Sequence, residues 1–399
     1  MKRFVVLILF AAIVVGIAAC GEAYEDYTVE YEEVVVEPLP SPSPSPAATP
    51  EPEPEPVRPT VPFVSLAAGD YSSFGLDEDG RMWGWGVVAG QRVFSPVVVM
   101  ENVSQIAAGQ DHGLAIDVNG GLWAFGSNRY GQIGDGTTVF AREPVLVLEN
   151  VRAVSAGVRH TIALDNDGEI WAWGQNERGQ FGNGGGECSF WPVHVPMDEI
   201  DEIVAIVAAN FHNLALDANG VVWAWGLNDR GQMGDGTDEM RFSPVPVMEN
   251  VRAFATGTNH NFAITNDNVL WVWGQNNAGQ LGDGTTEHRI VPMRLMDDVA
   301  YAFNVYGMSM ILTMDGGLWT FGWNGAGQMG IGIVEENWTR GVEPQRILEN
   351  MAFGAGGGEH SLALDVYGNV WSWGRNNTGQ LGDGGTVDRL VPGLMLDGE

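Results

Sequence analysis

A four-residue phrase, W-x-[WF]-G, recurs along the chain at Trp123, Trp171, Trp223, Trp271, Trp319 and Trp371, with a reduced version, W-G-W-G, at Trp83. The steps between these tryptophans are 40, 48, 52, 48, 48 and 52 residues. That period belongs to a radial array of small sheets rather than to a helical solenoid. Seven copies of one supersecondary unit therefore have to be placed before any single residue is interpreted.

Spacing within a copy is stricter than the period. Eleven residues before the tryptophan stands His112, His160, His212, His260 or His360, replaced by Ser72 in the first copy and Met308 in the sixth. Five residues after it stands Asn128, Asn176, Asn228, Asn276, Asn324 or Asn376, and eight and nine after it comes Gly-Gln; the first copy lacks both. A proline follows in every copy, from Pro96 to Pro392. Variation in length is thus confined to a few loops on a rigid unit.

Stretches such as PVLVL, TIALD and EIWAWG are apolar, rich in β-branched or aromatic residues, and too short for helices. Between the second and third kind lies D-x-[DN]-G, whose last positions tolerate positive φ and so suit a tight hairpin. Each repeat reads as a small antiparallel sheet, and seven arranged radially bury faces that one cannot. The expected fold is all-β, a seven-bladed β-propeller over residues 61–399. The chain begins with a hairpin at 63–86 and ends with a proline-led strand at 391–397, so pairing of the two ends is expected to close the ring and remove its open edges.

The pattern A-x-G-x-x-H-[ST]-x-A-L-x-x-x-G-x-[IV]-W-x-W-G-x-N-x-x-G-Q-[LFM]-G-D-G resembles the repeat of the regulator of chromosome condensation family, over roughly residues 61–399. The resemblance implies the seven-bladed propeller. It also implies two activities as alternatives: guanine-nucleotide exchange on an intracellular GTPase, and enzyme inhibition by a secreted member. A light-sensing member carries Gly-Trp-Arg-His-Thr where this chain has Gly157-Val158-Arg159-His160-Thr161, and the missing tryptophan argues against that use.

The amino-terminal region speaks for export. Met-Lys-Arg precedes an apolar run from Phe4 to Ile17, then Ala18-Ala19-Cys20, with the length and small-residue cleavage site of a secretory signal. Ile-Ala-Ala-Cys resembles a bacterial lipobox, which makes 1–19 a signal peptide and Cys20 the lipidated anchor; ordinary cleavage with an incidental thiol is the alternative. Residues 20–60 form an acidic, proline- and serine-rich tether with too little apolar content to pack. The protein is expected at the outer side of a bacterial cell membrane, as a monomer.

Charge and chemistry exclude several classes. The propeller region holds 41 acids against 16 arginines, a net charge of −25, so nucleic acid is a poor partner. Lys2 is the only lysine and leaves with the signal peptide, which removes P-loop and lysine chemistry. With Cys20 lipidated, Cys188 is left without a partner. The repeated histidines belong to different blades and are too dispersed to share a metal, so they are expected to hydrogen-bond through both nitrogens. The D-x-[DN]-G turns lack the remaining positions of a calcium loop. No catalytic residue, metal or cofactor is expected.

The segments between G-D-G and the proline-led strand vary most, and nearly all carry an arginine, an aromatic or both, types enriched in interface cores. Candidate binding residues are Arg92, Phe94, Phe140, Arg142, Phe190, Trp191, Arg241, Phe242, His288, Arg289, Trp338, Arg340 and Arg389. The competing reading is that these arginines pair with carboxylates of neighbouring blades. The expected function is a tethered, non-enzymatic scaffold for a protein or cell-wall ligand.

Overall fold

The computed structural model describes residues 59, 61–197, 200, 202–304, 307–334 and 341–395. Two compact units are separated at Glu53/Pro54, and the described residues all belong to the second. They form seven four-stranded antiparallel sheets, at 63–100, 103–148, 151–195, 203–248, 251–296, 299–348 and 351–394, termed blades 1 to 7. The innermost strands of consecutive blades touch in cyclic order, blade 7 meeting blade 1, which makes the molecule a seven-bladed β-propeller.

Blade 2 shows how the sequence builds the sheet. Its strands are Val103–Ala108, His112–Asp117, Leu122–Gly126 and Ala141–Leu148, each paired with the next. Trp123 stands between Ala115 on the second strand and Leu146 on the fourth. The hairpin joining the middle strands turns at Gly120, whose φ of 84° a side chain would oppose.

Apolar residues on both faces of each blade then meet those of its neighbour. Leu114, Ile116, Leu122 and Ala124 of blade 2 pack with Val151, Val154, Ala163 and Trp173 of blade 3, and comparable clusters fill the other seams. The core is therefore a set of interblade layers, and the fully buried Trp85, Trp173, Trp225, Trp273 and Trp373 supply its largest pieces.

Closure differs from the sequence expectation in one respect. The proline-led strand is the outer strand of the hairpin that precedes it, so 63–100 and 351–394 are each complete, and among the described residues no sheet combines strands of the first and last blades. Pairing with the preceding hairpin closes a short loop, where exchange would have to close nearly the whole chain. The ring is sealed instead by side-chain and loop contacts between two finished blades.

Candidate binding face

Because strands run up and down in order, the loops after the first and third strands of every blade emerge on one face, while the D-x-[DN]-G turns and interblade links lie on the other. The turn face is self-contained. In blade 2, one Asp117 oxygen accepts the amides of Asn119 and Gly121 at 2.8 and 3.0 Å, and the other accepts the Trp123 indole at 2.8 Å. That indole bond, with the turn amides, holds the Asp117 carboxyl below its usual range. These carboxylates serve the turn.

On the loop face, the N-x-x-G-Q-x-G segment is held by its own amides. Asn128 Oδ1 accepts the Ile133 amide at 3.0 Å, its Nδ2 donates to the Thr137 carbonyl at 3.0 Å, and Gln132 Oε1 accepts the Tyr130 amide at 2.9 Å. The Gln132 backbone carbonyl thereby points into the next blade, where it accepts Thr161 Oγ1 and Trp173 Nε1, both at 2.9 Å.

The histidines complete this girdle. His112 Nε2 lies 3.2 Å from Thr161 Oγ1, His160 Nε2 2.8 Å from Asn213 Oδ1, His212 Nε2 2.7 Å from Asn261 Oδ1, His260 Nε2 2.9 Å from Ser309 Oγ, and His360 Nε2 2.7 Å from Ser73 Oγ. Each partner already spends its donor on a glutamine carbonyl. The imidazole must therefore donate from Nε2, which leaves Nδ1 as a bare lone pair. All five Nδ1 atoms are buried without a partner, so only one nitrogen of each ring is satisfied, against the expectation of two. Burial depresses the pKa values to about 3 for His112, His260 and His360 and about 4 for His160 and His212.

The candidate binding residues take several positions on this face. Phe94, Phe190 and Phe242 lie in the first few residues of outer strands, against Gly379, Gly131 and Gly179 of the preceding blade, where an added Cβ would come within 2.7, 2.3 and 3.0 Å of the rings. Their carbonyls accept the amides of Gly384, Gly136 and Gly184 at 2.9, 2.9 and 2.8 Å. They lock blade to blade. Trp191 lies over Gly136 yet remains 62% exposed.

Arg241, Arg289 and Arg389 pair with Asp235, Asp283 and Asp383, carboxylates of their own loops rather than of neighbouring blades. His288 Nδ1 accepts the Asn276 amide at 2.9 Å, and burial lowers its pKa. Arg142 packs its guanidinium 5.9 Å from the ring of Phe140, which is 42% exposed above Gly90 of blade 1, and Arg92 is exposed. Trp338, Arg340 and Cys20 lie outside the described residues. Cys188 is not a free thiol, which corrects the expectation of an unpartnered sulfur; its Sγ also accepts the Asn176 amide at 3.4 Å.

An inner ring of residues escaped the sequence reading. In every blade the residue after W-x-[WF]-G, or after W-G-W-G, donates its amide to the carbonyl of the residue just before the histidine position, at 2.7–3.0 Å. This invariant bond carries a different pair each time: Tyr71 with Val87, Asp111 with Ser127, Arg159 with Gln175, Phe211 with Leu227, Asn259 with Gln275, Gly307 with Trp323, and Glu359 with Arg375. The signal was available as two positions that vary beside invariant neighbours. The ring surrounds a narrow axial cavity of about 60 Å³ lined mainly by glycine and alanine, with Asp70 at its rim. Burial raises the Asp70 pKa to about 6, although Gln110 Nε2 donates to it at 2.8 Å.

Seven radial blades built from one motif, sealed by a glutamine girdle, define a repeat propeller with a chemically variable loop face. The family described as the RCC1-like domain matches residues 32–303, and the regulator of chromosome condensation (RCC1) repeat matches 315–364 and 367–397. The chain belongs to this family. Among solved structures, Prp20p from Saccharomyces cerevisiae is similar at a TM-score of 0.71 and 24% identity, covering 84% of this chain and 88% of that one. Human WBSCR16 is similar at 0.67 and 23%, covering 76% and 85%. These likenesses concern the fold.

Proposed function

We propose that the chain is a non-enzymatic scaffold that binds a protein through the loop face, held at the outer side of a bacterial membrane by a lipid on Cys20. One observation carries the binding reading: the inner ring varies through aromatic, acidic, basic and amide pairs while the backbone bond beneath it never changes. A framework that fixes position and frees chemistry is suited to recognition. The fold is compatible with a protein ligand, since the structure of Prp20p is described together with its binding to Gsp1p and histones. The net charge of −25 over the propeller region speaks against nucleic acid.

The anchor rests on Ile17-Ala18-Ala19-Cys20. Cys188 is not a free thiol and Cys20 is the other cysteine of the chain, so a thioether at Cys20 and a disulfide through the same sulfur exclude each other; intact mass of the purified protein, with and without reductant, decides between them.

The test of binding is cross-linking capture from intact cells, with the tether alone as control. A ring variant, Phe211→Ala with Asn259→Ala, is expected to lose at least tenfold in capture, and Asp79→Asn on the turn face is not. Equal capture by all three proteins at matched folded concentration overturns the assignment of the face. Capture of cell-wall material alone, without a protein, overturns the protein ligand.

A further inference from the structure

A groove of about 670 Å³ opens on the loop face between blades 3 and 4. Its inner end is made by Arg159, whose guanidinium carbon stands 4.5 Å from the Tyr130 ring centre and 6.0 Å from that of Phe211. Stacking between two aromatic faces immobilises the guanidinium while leaving N–H groups in its plane. The apolar lining comes from Leu227, Phe242 and Met240, the last 39% exposed.

Gln175, which lines the groove, is only 6% exposed, and its Oε1 is buried with no hydrogen-bond partner. The orientation of the amide is set by its other end, because Nε2 donates to the Glu177 carboxylate at 3.0 Å and a flipped amide would oppose two oxygens. Blade 5 shows the contrast. There the equivalent Gln275 Oε1 accepts Asn259 Nδ2 at 2.8 Å, whereas in blade 3 the asparagine is replaced by Arg159, which is stacked on its neighbours. The groove thus contains one acceptor that the chain itself does not satisfy.

Its outer margin is acidic. Glu177, Asp229, Asp238 and Glu239 line it against Arg159 and Arg178; Asp229 also lies 4.0 Å from Arg230 and Glu239 3.7 Å from Arg241, while Asp238 has no ion pair among the described residues. We propose that this groove binds an extended segment of a partner protein that presents a lysine or arginine beside an apolar side chain. The cationic head meets the carboxylates, its aliphatic stem and the neighbouring side chain cover Met240 and Phe242, a backbone amide of the segment donates to Gln175 Oε1, and Arg159 donates to a backbone carbonyl. This rests on the protein-binding reading above and names the chemistry of the ligand.

The experiment titrates the full chain at physiological salt with the end-blocked peptide acetyl-Ala-Leu-Lys-Leu-Ala-amide and with its norleucine analogue in place of lysine. Saturable one-to-one binding is expected, at least tenfold weaker for the norleucine peptide. Asp238→Asn with Glu239→Gln, and separately Gln175→Met, should each weaken the lysine peptide at least tenfold, which is about 1.4 kcal/mol. Asp79→Asn with Asp167→Asn removes the same charge from the turn face and should change binding less than twofold. Two exposed carboxylates can be altered without disturbing the fold, so the first pair keeps the test valid should Gln175→Met unfold. Non-saturating binding, equal effects of the two charge-matched pairs, or insensitivity to either groove variant in a folded protein overturns the proposal. If cellular capture is lost in the ring variant but intact in the groove variants, the groove is wrong and the binding face stands.

Discussion

The seam between blades 7 and 1 joins the two ends of the chain, yet it is built like the interior seams. Ser73 Oγ and Trp85 Nε1 both donate to the Gln380 carbonyl at 2.9 Å, His360 reaches Ser73, and the Gly384 amide donates to the Phe94 carbonyl at 2.9 Å. The exceptional seam lies inside the chain, between blades 1 and 2. Blade 1 replaces the whole asparagine–glutamine loop with a two-residue turn, Ala89-Gly90, at φ values of 47° and 80°. No glutamine carbonyl projects from it. Blade 2 correspondingly has Gly113 where other blades have Thr161, Asn213 or Ser73, and Phe125 where most have tryptophan; Phe125 meets Phe74 edge-on at 5.7 Å. Donors and acceptor have been lost together, because a buried donor without its carbonyl would be costly. Ring closure therefore depends on matched polar sets, and covalent continuity does not decide where they fall.

The largest expected effect is on acid stability, and it separates seams with histidine from the two without, 1/2 and 6/7. Unfolded imidazoles bind protons near pH 6.5, while the folded ones do so only near 3 to 4. The unfolded state binds more protons in that window, so stability is complete above 6.5 and falls as pH drops. At pH 5 each histidine removes on the order of 2 kcal/mol, about 10 for five, comparable to the stability of a whole domain. Asp70 acts oppositely: its raised pKa of about 6 favours the folded state at low pH, a contribution lost as pH rises from about 4 through 6, but it is one group against five. The thermal midpoint should collapse between pH 6.5 and 5, and a midpoint constant down to pH 4.5 would contradict burial of the neutral rings.

Next in size is conversion of the 7/1 seam to the 1/2 type. Ser73→Gly with Trp85→Phe leaves the Gln380 carbonyl without either donor and should cost about 2–4 kcal/mol in urea unfolding. A loss below about 0.5 kcal/mol would show that apolar packing alone closes the ring.

The repeat frame was legible because its demands are local: W-x-W-G, D-x-[DN]-G and N-x-x-G-Q each fix a strand end or turn by short-range chemistry. Strand membership was misassigned at the ends because a proline-led strand reads identically whether it joins the hairpin before or after it. The outer-loop arginines stood out by residue type, but Arg241, Arg289 and Arg389 have their carboxylates six residues away in the same loop, a pairing that needs the loop's conformation. The inner ring was hidden for the opposite reason. Its members, such as Phe211 and Leu227, share no residue type, and only the backbone bond between them shows that they form a pair.

Reversing the seam conversion gives a smaller effect. Phe125→Trp in blade 2 introduces a buried indole N–H at a seam with no glutamine carbonyl to accept it, for an expected loss of about 1–3 kcal/mol. Trp173 Nε1 finds the Gln132 carbonyl at 2.9 Å, and an indole at 125 should find no such acceptor. Unchanged stability in the Phe125→Trp protein would mean that an acceptor is present and that the two seams differ less than their loops imply.

The smallest effect distinguishes framework from recognition on the loop face. Arg389 is bound to Asp383 at 3.0 Å and donates to the Leu394 carbonyl at 2.8 Å, with its side chain 27% exposed, so Arg389→Ala should lower stability by no more than about 1 kcal/mol. Arg142 instead rests on Phe140 beside the short turn of blade 1, and Arg142→Ala should leave the free energy of urea unfolding within about 0.5 kcal/mol of wild type. If the outer rim contributes to binding, Arg142 is the better placed of the two, because Arg389 is already engaged with its own loop and would have to give up that pair to reach a partner. Capture should then fall more for Arg142→Ala than for Arg389→Ala at equal folded concentration. The reverse order would assign the 7/1 side of the rim to the interface and place the short-loop seam outside it.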